Sequence, residues 1–209
     1  MRIAIIGGTG SFGQAMAVRL VAAGDDQVVI GSRDAARAQA AAAEIGRATG
    51  ASNEDAVQDV DLVVLAVKAD AALETARAIA KALGTVPLFS VASSLAFTKR
   101  GVLPDPDSRS LAERIQDEVE GPVVAGLHSI AAANLAADPP DEDALVCGDD
   151  AVAKALALEL AGKLVAGRAL DAGPLASART LEGLTAVIVN LNRVYRAHAG
   201  IRVSGLTPG

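Results

Sequence analysis

The sequence predicts an α/β protein: a doubly wound, mostly parallel sheet of the Rossmann NADP-binding type, with a small C-terminal helical extension. Three observations predict it. Short apolar runs alternate with segments of helical period along the chain, the pattern of strands joined by crossover helices. The first run passes straight into a glycine-rich turn that opens a helix. A later run, Asp61-Leu62-Val63-Val64-Leu65-Ala66-Val67, is apolar almost without interruption, as expected of a central parallel strand covered on both faces.

The first strand is read over residues 2–6, behind which Gly8, Gly10 and Gly13 fill the G-x-G-x-x-G template. A dinucleotide site needs those glycines: one for the tight turn, one for close approach of the backbone to a pyrophosphate, one to pack helix on strand. The helix start, with Ser11 and Phe12 in its first turn, offers free N–H groups and a positive dipole end to the anion. Met16, Ala17, Leu20 and Val21 recur at helical spacing, and Gly24 stops that helix.

A second strand over 27–30 ends in Gly31-Ser32-Arg33. An NAD site usually places a carboxylate about 20 residues past the glycine loop, to hold the ribose 2′-hydroxyl. Ser32 and Arg33 stand there instead, with Arg37 one turn into the next helix. A hydroxyl and a guanidinium bind a 2′-phosphate that a carboxylate would repel. Charged hydrogen bonds of about 1.5–3 kcal/mol each favour NADP over NAD by about ten-fold or more. The bland alternative is that Ser32 caps the helix over 34–45 and both arginines are solvated.

The remaining elements follow in order. A short helical stretch near 53–58 precedes the third strand, 61–67, whose end places Ala66 and Val67 against the cofactor. A helix over 71–83 leads to a strand over 86–91, with Pro87 at its start, where no ladder donor is needed. The connection over 92–107 reads as a long functional or mobile loop, open to a lid role, and carries Ser93 and Ser94 at a strand end. Ser108 is read as the cap of the next helix, which turns Leu111, Ile115 and Val119 to one face. Strands over 123–127 and 144–147, a helix over 151–165, a segment over 168–171, a turn over 172–175 and a last helix over 178–198 complete the chain. Ligands of such sheets bind beyond the C-terminal strand ends, which directs attention to 67–70, 92–95, 128–131 and 171–175.

Composition narrows the function. The 209 residues are 51% hydrophobic and 2% aromatic, without Trp, and carry a net charge of −6. A nucleic-acid partner is not expected, for want of a basic groove or a stacking platform. The lone Cys147 suits a reducing cytoplasm. Two His and one Cys, far apart, give no metal-ligand spacing. No signal peptide or membrane-length apolar stretch is read. One domain, 1–209, is expected, and the apolar last helix suits a homodimer contact.

Five motifs together resemble the NADPH-dependent reductases of the deazaflavin coenzyme F420, the F420:NADP oxidoreductases. They are Gly7-Gly8-Thr9-Gly10 with Gly13; Gly31-Ser32-Arg33; Leu127-His128-Ser129-Ile130; Val146-Cys147-Gly148-Asp149-Asp150; and Leu170-Asp171-Ala172-Gly173-Pro174-Leu175. The resemblance implies a compact protein, often dimeric, that exchanges a hydride between NADP(H) and coenzyme F420. It implies that Thr9 and the backbone of residues 10–12 hold the pyrophosphate, and that Ser32, Arg33 and Arg37 hold the 2′-phosphate. His128 and Ile130 would line the deazaflavin pocket, with Leu175 in its wall and Ser93 and Ser94 nearby; His128 would orient the acceptor ring. Two departures fall on the acceptor side: Val67-Lys68-Ala69-Asp70 replaces an aromatic-bearing stretch, and Ala92-Ser93-Ser94-Leu95 a Pro-containing one. The alternatives are an NADPH reductase of a free flavin, ferric chelate or imine, and a non-enzymatic NADP sensor. Tyr195 lacks the Tyr-x-x-x-Lys pair of short-chain dehydrogenases.

Overall fold

The computed structural model describes residues 1–136 and 138–206. The first half runs β1 (Arg2–Ile6), α1 (Ser11–Ala23), β2 (Gln27–Ser32), α2 (Ala35–Ile45), β3 (Ala48–Ser52), α3 (Asn53–Ala56), β4 (Leu62–Leu65), α4 (Ala69–Leu83) and β5 (Leu88–Ser90). There follow β6 (Leu95–Thr98), β7 (Gly101–Pro104), α5 (Leu111–Gln116), β8 (Val123–Gly126), α6 (Ala132–Ala136), β9 (Ala144–Gly148), α7 (Ala151–Leu164), β10 (Ala169–Asp171), a 3₁₀ turn (Leu175–Ser177) and α8 (Ala178–Tyr195).

Eight strands form one sheet in the order β10-β9-β8-β5-β4-β1-β2-β3, while β6 and β7 pair as a separate hairpin. β1–β5 and β8 are mutually parallel; β9 runs antiparallel to β8, and β10 parallel to β9. The period-2 alternation of the strands divides the core into two layers. Ile3, Ile5, Ile30 and Val64 meet α1, α2 and α7 on one face. Ala4, Ile6, Val63 and Leu65 meet α3, α4 and α5 on the other. With so few aromatics, fully buried Ile, Leu and Met dominate the large side chains, Phe89 being the exception.

Five expectations are corrected. The edge strand β3, Ala-Thr-Gly-Ala-Ser, carries no large apolar residue and no strand signal; Gly50 fits because a Cβ there would lie 2.3 Å from the Ala38 carbonyl carbon of α2. The 92–107 segment is a hairpin rather than an irregular loop. Ser110, not Ser108, caps α5, in a reciprocal capping box with Glu113. The fourth correction concerns direction: because β9 reverses, the C-terminal ends of β9 and β10 lie at the opposite edge of the sheet from the glycine loop, with Gly148 beside Val124 at the start of β8. The last helix ends at Tyr195, so His198 lies beyond it.

Candidate functional site

The glycine loop leaves β1 through Gly7, whose φ of 87° an L side chain resists. The loop closes on itself: Gly8 N donates to Ile5 O at 3.1 Å and Gly10 N to Gly7 O at 2.9 Å. A Cβ on Gly13 would lie 2.7 Å from Gly7 O and 2.8 Å from Gly8 Cα, so helix and loop touch backbone to backbone. Gly10 occupies the N-cap of α1, where no side chain caps the helix and no acidic residue sits in the first turn. That end of the helix is open to an anion.

A cleft of about 810 Å³ extends from this loop along the C-terminal ends of β1, β2 and β4. Thr9, Gly10, Ser32, Arg33, Arg37, Ala66 and Val67 line it. Arg33 and Arg37 are exposed, and among the described residues neither has a carboxylate within salt-bridge distance. The nearby carboxylate, Asp34, is committed elsewhere: it accepts from Ala36 N at 3.0 Å and Arg37 N at 3.3 Å as the N-cap of α2. Asp34, not Ser32, therefore caps that helix, and Ser32 Oγ accepts from Asp34 N at 3.2 Å. Asn53 Oδ1, also on this cleft, is buried without a hydrogen-bond partner. These residues fit an NADP: a glycine cradle that a Cβ would fill, an open helix start, and two free guanidiniums where a 2′-phosphate would lie.

A second cleft, of about 860 Å³, shares Val67, Lys68 and Asp70 with the first. Phe12, Ser93, Ser94, His128 and Ile130 all line it. The chain turns into it at Leu127, whose φ of 64° is uncommon for a branched residue and costs about 1–3 kcal/mol; Ile130 N closes the turn onto Leu127 O at 3.0 Å. His128 is buried, and neither ring nitrogen has a partner. Burial lowers its pKa to about 4, so the ring is a neutral imidazole near neutral pH. Its carbonyl accepts from Thr185 Oγ1 at 2.7 Å. The Thr185 hydroxyl has one proton, so Ser93 Oγ is the donor in the 2.7 Å Ser93–Thr185 contact.

A second chain closes the far wall. Ser94 Oγ donates to Asp105, and Arg114 lies 3.7 Å from Asp105 and 3.4 Å from Asp107. The Ser94 hydroxyl, with the Asp107 amide, holds the Asp105 carboxyl below the ordinary carboxylate range. Beneath this wall Glu182 of α8 is buried and accepts from Leu111 N at 3.0 Å and Ala112 N at 3.1 Å, fixing the start of α5. Burial pushes its carboxyl above the ordinary range. Cys147 is buried in the sheet core, its thiol pushed up to about 12 by burial, and takes no part in either cleft.

Of the residues singled out in the sequence, only Leu175 is placed away from both clefts. It follows β10 at the far edge of the sheet, packs in the core there, and donates its backbone N–H to Asp149 Oδ1 at 3.0 Å. The antiparallel turn of β9 is the reason. Gly8 and Gly13 pack the loop, and Ser11 opens α1. Residues missed by sequence reasoning are of two kinds. Asn53 follows β3, a strand the sequence does not announce, while Lys68 and Asp70 lie in the strand-end segment 67–70 but were given no role of their own. Phe97, Arg114 and Thr185 arrive from the hairpin, α5 and α8, with no local signal, whereas Leu95 closes the 92–95 segment that the strand-end rule singles out.

Residues 2–94 match the family model described as NADP oxidoreductase coenzyme F420-dependent. An F420-dependent NADP reductase from Methanothermobacter marburgensis is 34% identical, over 99% of both chains. Its counterpart from Methanothermobacter thermautotrophicus is 36% identical over 99% of this chain and 96% of that protein. The crystal structure of a candidate F420-dependent NADP-reductase from Arthrobacter sp. FB24 superposes with a TM-score of 0.86 at 28% identity, covering 98% of this chain and all of that one. Full-length identity of this order, joined to a glycine cradle and a second cleft that meets the first at Val67, identifies the chain as a member of the coenzyme F420-dependent NADP oxidoreductase family.

Proposed function

We propose that the protein transfers a hydride between NADP(H) and coenzyme F420, with the nucleotide along the glycine loop and the deazaflavin beside His128. The observation that carries this reading is the junction of the two clefts at Val67, Lys68 and Asp70. It allows a nicotinamide and an acceptor ring to meet face to face. Together the two bound molecules supply the redox chemistry, one carbon giving the hydride and the other receiving it. The chain's part is to orient and to exclude water. Thr9 and the amides of Ser11 and Phe12 hold the pyrophosphate. Ser32, Arg33 and Arg37 grip the 2′-phosphate. Val67, Leu127 and Ile130 give the meeting point an aliphatic wall. His128, neutral and free at both nitrogens, can donate one hydrogen bond to the acceptor ring and accept another.

The reading includes a homodimer and a cytoplasmic location. The dimer is supported by Val187, Leu191 and Val194, which stand 52%, 39% and 72% exposed at i, i+4 and i+7 along α8. The location is supported by the lone buried Cys147. No helix of the described residues is long and apolar enough to cross a membrane.

The test is optical. NADPH is mixed under anaerobic conditions with F420, then with free flavin, then with no acceptor; NADH with F420 is the control. Turnover confined to the NADPH–F420 pair is expected. Equal rates with free flavin, or binding without turnover, would reject the proposal.

A further inference from the structure

We propose that Phe97, at the rim of the second cleft, is the aromatic platform on which the acceptor ring stacks, and that Asn190 is its positioning residue. The inference rests on the reading that this cleft takes the deazaflavin, and goes beyond it in naming a specificity determinant.

Aromatic side chains are scarce in this protein: three Phe, one Tyr and no Trp. Phe89 is buried in the core, whereas Phe12 and Phe97 line the acceptor cleft. Phe97 is nonetheless 77% exposed. Exposure at the rim leaves the ring face free to be covered by a molecule in the cleft, and covering it would be favourable. A planar heteroaromatic ring is the partner that a flat apolar face at a cleft rim suits best. Leu95 lies two residues earlier on the same strand and so on the same face; it lines the cleft as well.

A platform must be held still, and an isolated two-stranded hairpin is only marginally stable. This one is held from outside. Asn190 of α8 reaches Val102, directly opposite Phe97 in the ladder. Its Nδ2 donates to Val102 O at 2.7 Å, and its Oδ1 accepts from Val102 N at 3.0 Å. Val102 itself is 1% exposed. A Cβ at Gly101, where φ is 130°, would come within 2.9 Å of Asn190 Oδ1, so the glycine permits the close approach. The base of the hairpin is tied by Ser94 to Asp105 and by Arg179 to the Asp107 carbonyl. The segment is therefore a fixed wall presenting Phe97, rather than a swinging lid.

The test compares wild type with Phe97→Ala, Phe97→Trp and Asn190→Ala. Each is measured for KM of F420, KM of NADPH and kcat, for molecular mass by light scattering, and for hydrogen exchange across 95–104. Phe97→Ala should raise the KM for F420 by about ten-fold, with the KM for NADPH and the mass unchanged. Phe97→Trp should restore F420 binding. Asn190→Ala should weaken F420 binding and speed exchange in the hairpin. An unaltered KM for F420 in Phe97→Ala would overturn the proposal, as would a change in mass, which would assign Phe97 to a subunit contact. Wild-type protein that does not turn over F420 would overturn the functional reading, and the platform with it.

Discussion

Lowering the pH from about 7.5 to about 5 should destabilise the protein through His128 alone by about 2 kcal/mol. The folded side chain titrates at about 4, against 6.5 for the free imidazole, because burial disfavours the charged ring. Between those values the unfolded chain binds more protons than the folded one, so the stabilisation is full above 6.5 and is lost as pH falls toward 4. At about pH 5 some 1.5 units of the difference have been crossed, each worth about 1.4 kcal/mol. For a chain of this length that is a fall in Tm of about 4–8 °C. Other groups titrate too. Asp26 and Asp143, held low by their cationic partners, lose their contribution only as the pH falls below their ordinary value of 3.8. Glu142 and Glu182, raised by burial, act with the opposite sign, lending stability when protonated and losing it as pH rises. The measurement is therefore a difference: thermal melts of wild type and His128→Asn at both pH values, without ligand. The substitution removes the histidine contribution and leaves the carboxylates. Equal pH-dependent losses in the two proteins would refute the reasoning, and with it the neutral, desolvated ring.

Three further outcomes follow from the geometry. Replacing Arg33 and Arg37 together by Ala should raise the KM for NADPH by about ten-fold or more while leaving NADH use little changed, since each charged contact to the 2′-phosphate carries about 1.5–3 kcal/mol; steady-state kinetics with both nucleotides checks it. Gly13→Ala should abolish nucleotide binding by calorimetry and lower Tm, because the added Cβ meets Gly7 O at 2.7 Å and Gly8 Cα at 2.8 Å, both backbone atoms. Glu182→Ala should cost about 1–3 kcal/mol in denaturant titrations, as the buried amides of Leu111 and Ala112 lose their acceptor, and should weaken acceptor binding more than NADPH binding.

The nucleotide half was legible because its determinants are local. Gly8, Gly10 and Gly13 are needed at fixed spacing by backbone contact, and Ser32 and Arg33 are placed by the end of a strand that β-branched residues announce. The acceptor half is assembled from parts far apart in the chain, and sequence reasoning caught only those that end strands: His128, Ile130, Ser93 and Ser94. The hairpin escaped because Leu95-Ala96-Phe97-Thr98 is short and its pairing depends on Asn190, about ninety residues downstream.

The sequence by itself determined the glycine turn, the free guanidiniums and the succession of strands and helices apart from β3 and the β6–β7 hairpin, since turn geometry, helix caps and charge act within a few residues. Only the tertiary structure decided the reversal of β9, which carries Leu175 to the opposite edge of the sheet. Hydrophobic alternation is blind to strand direction: a strand buries the same side chains whichever way it runs, and the choice is made by the length and packing of the connection through α6. Tertiary structure alone also brought Thr185 to the His128 carbonyl and Phe97 to the cleft rim, because contacts across many residues leave no local pattern to read.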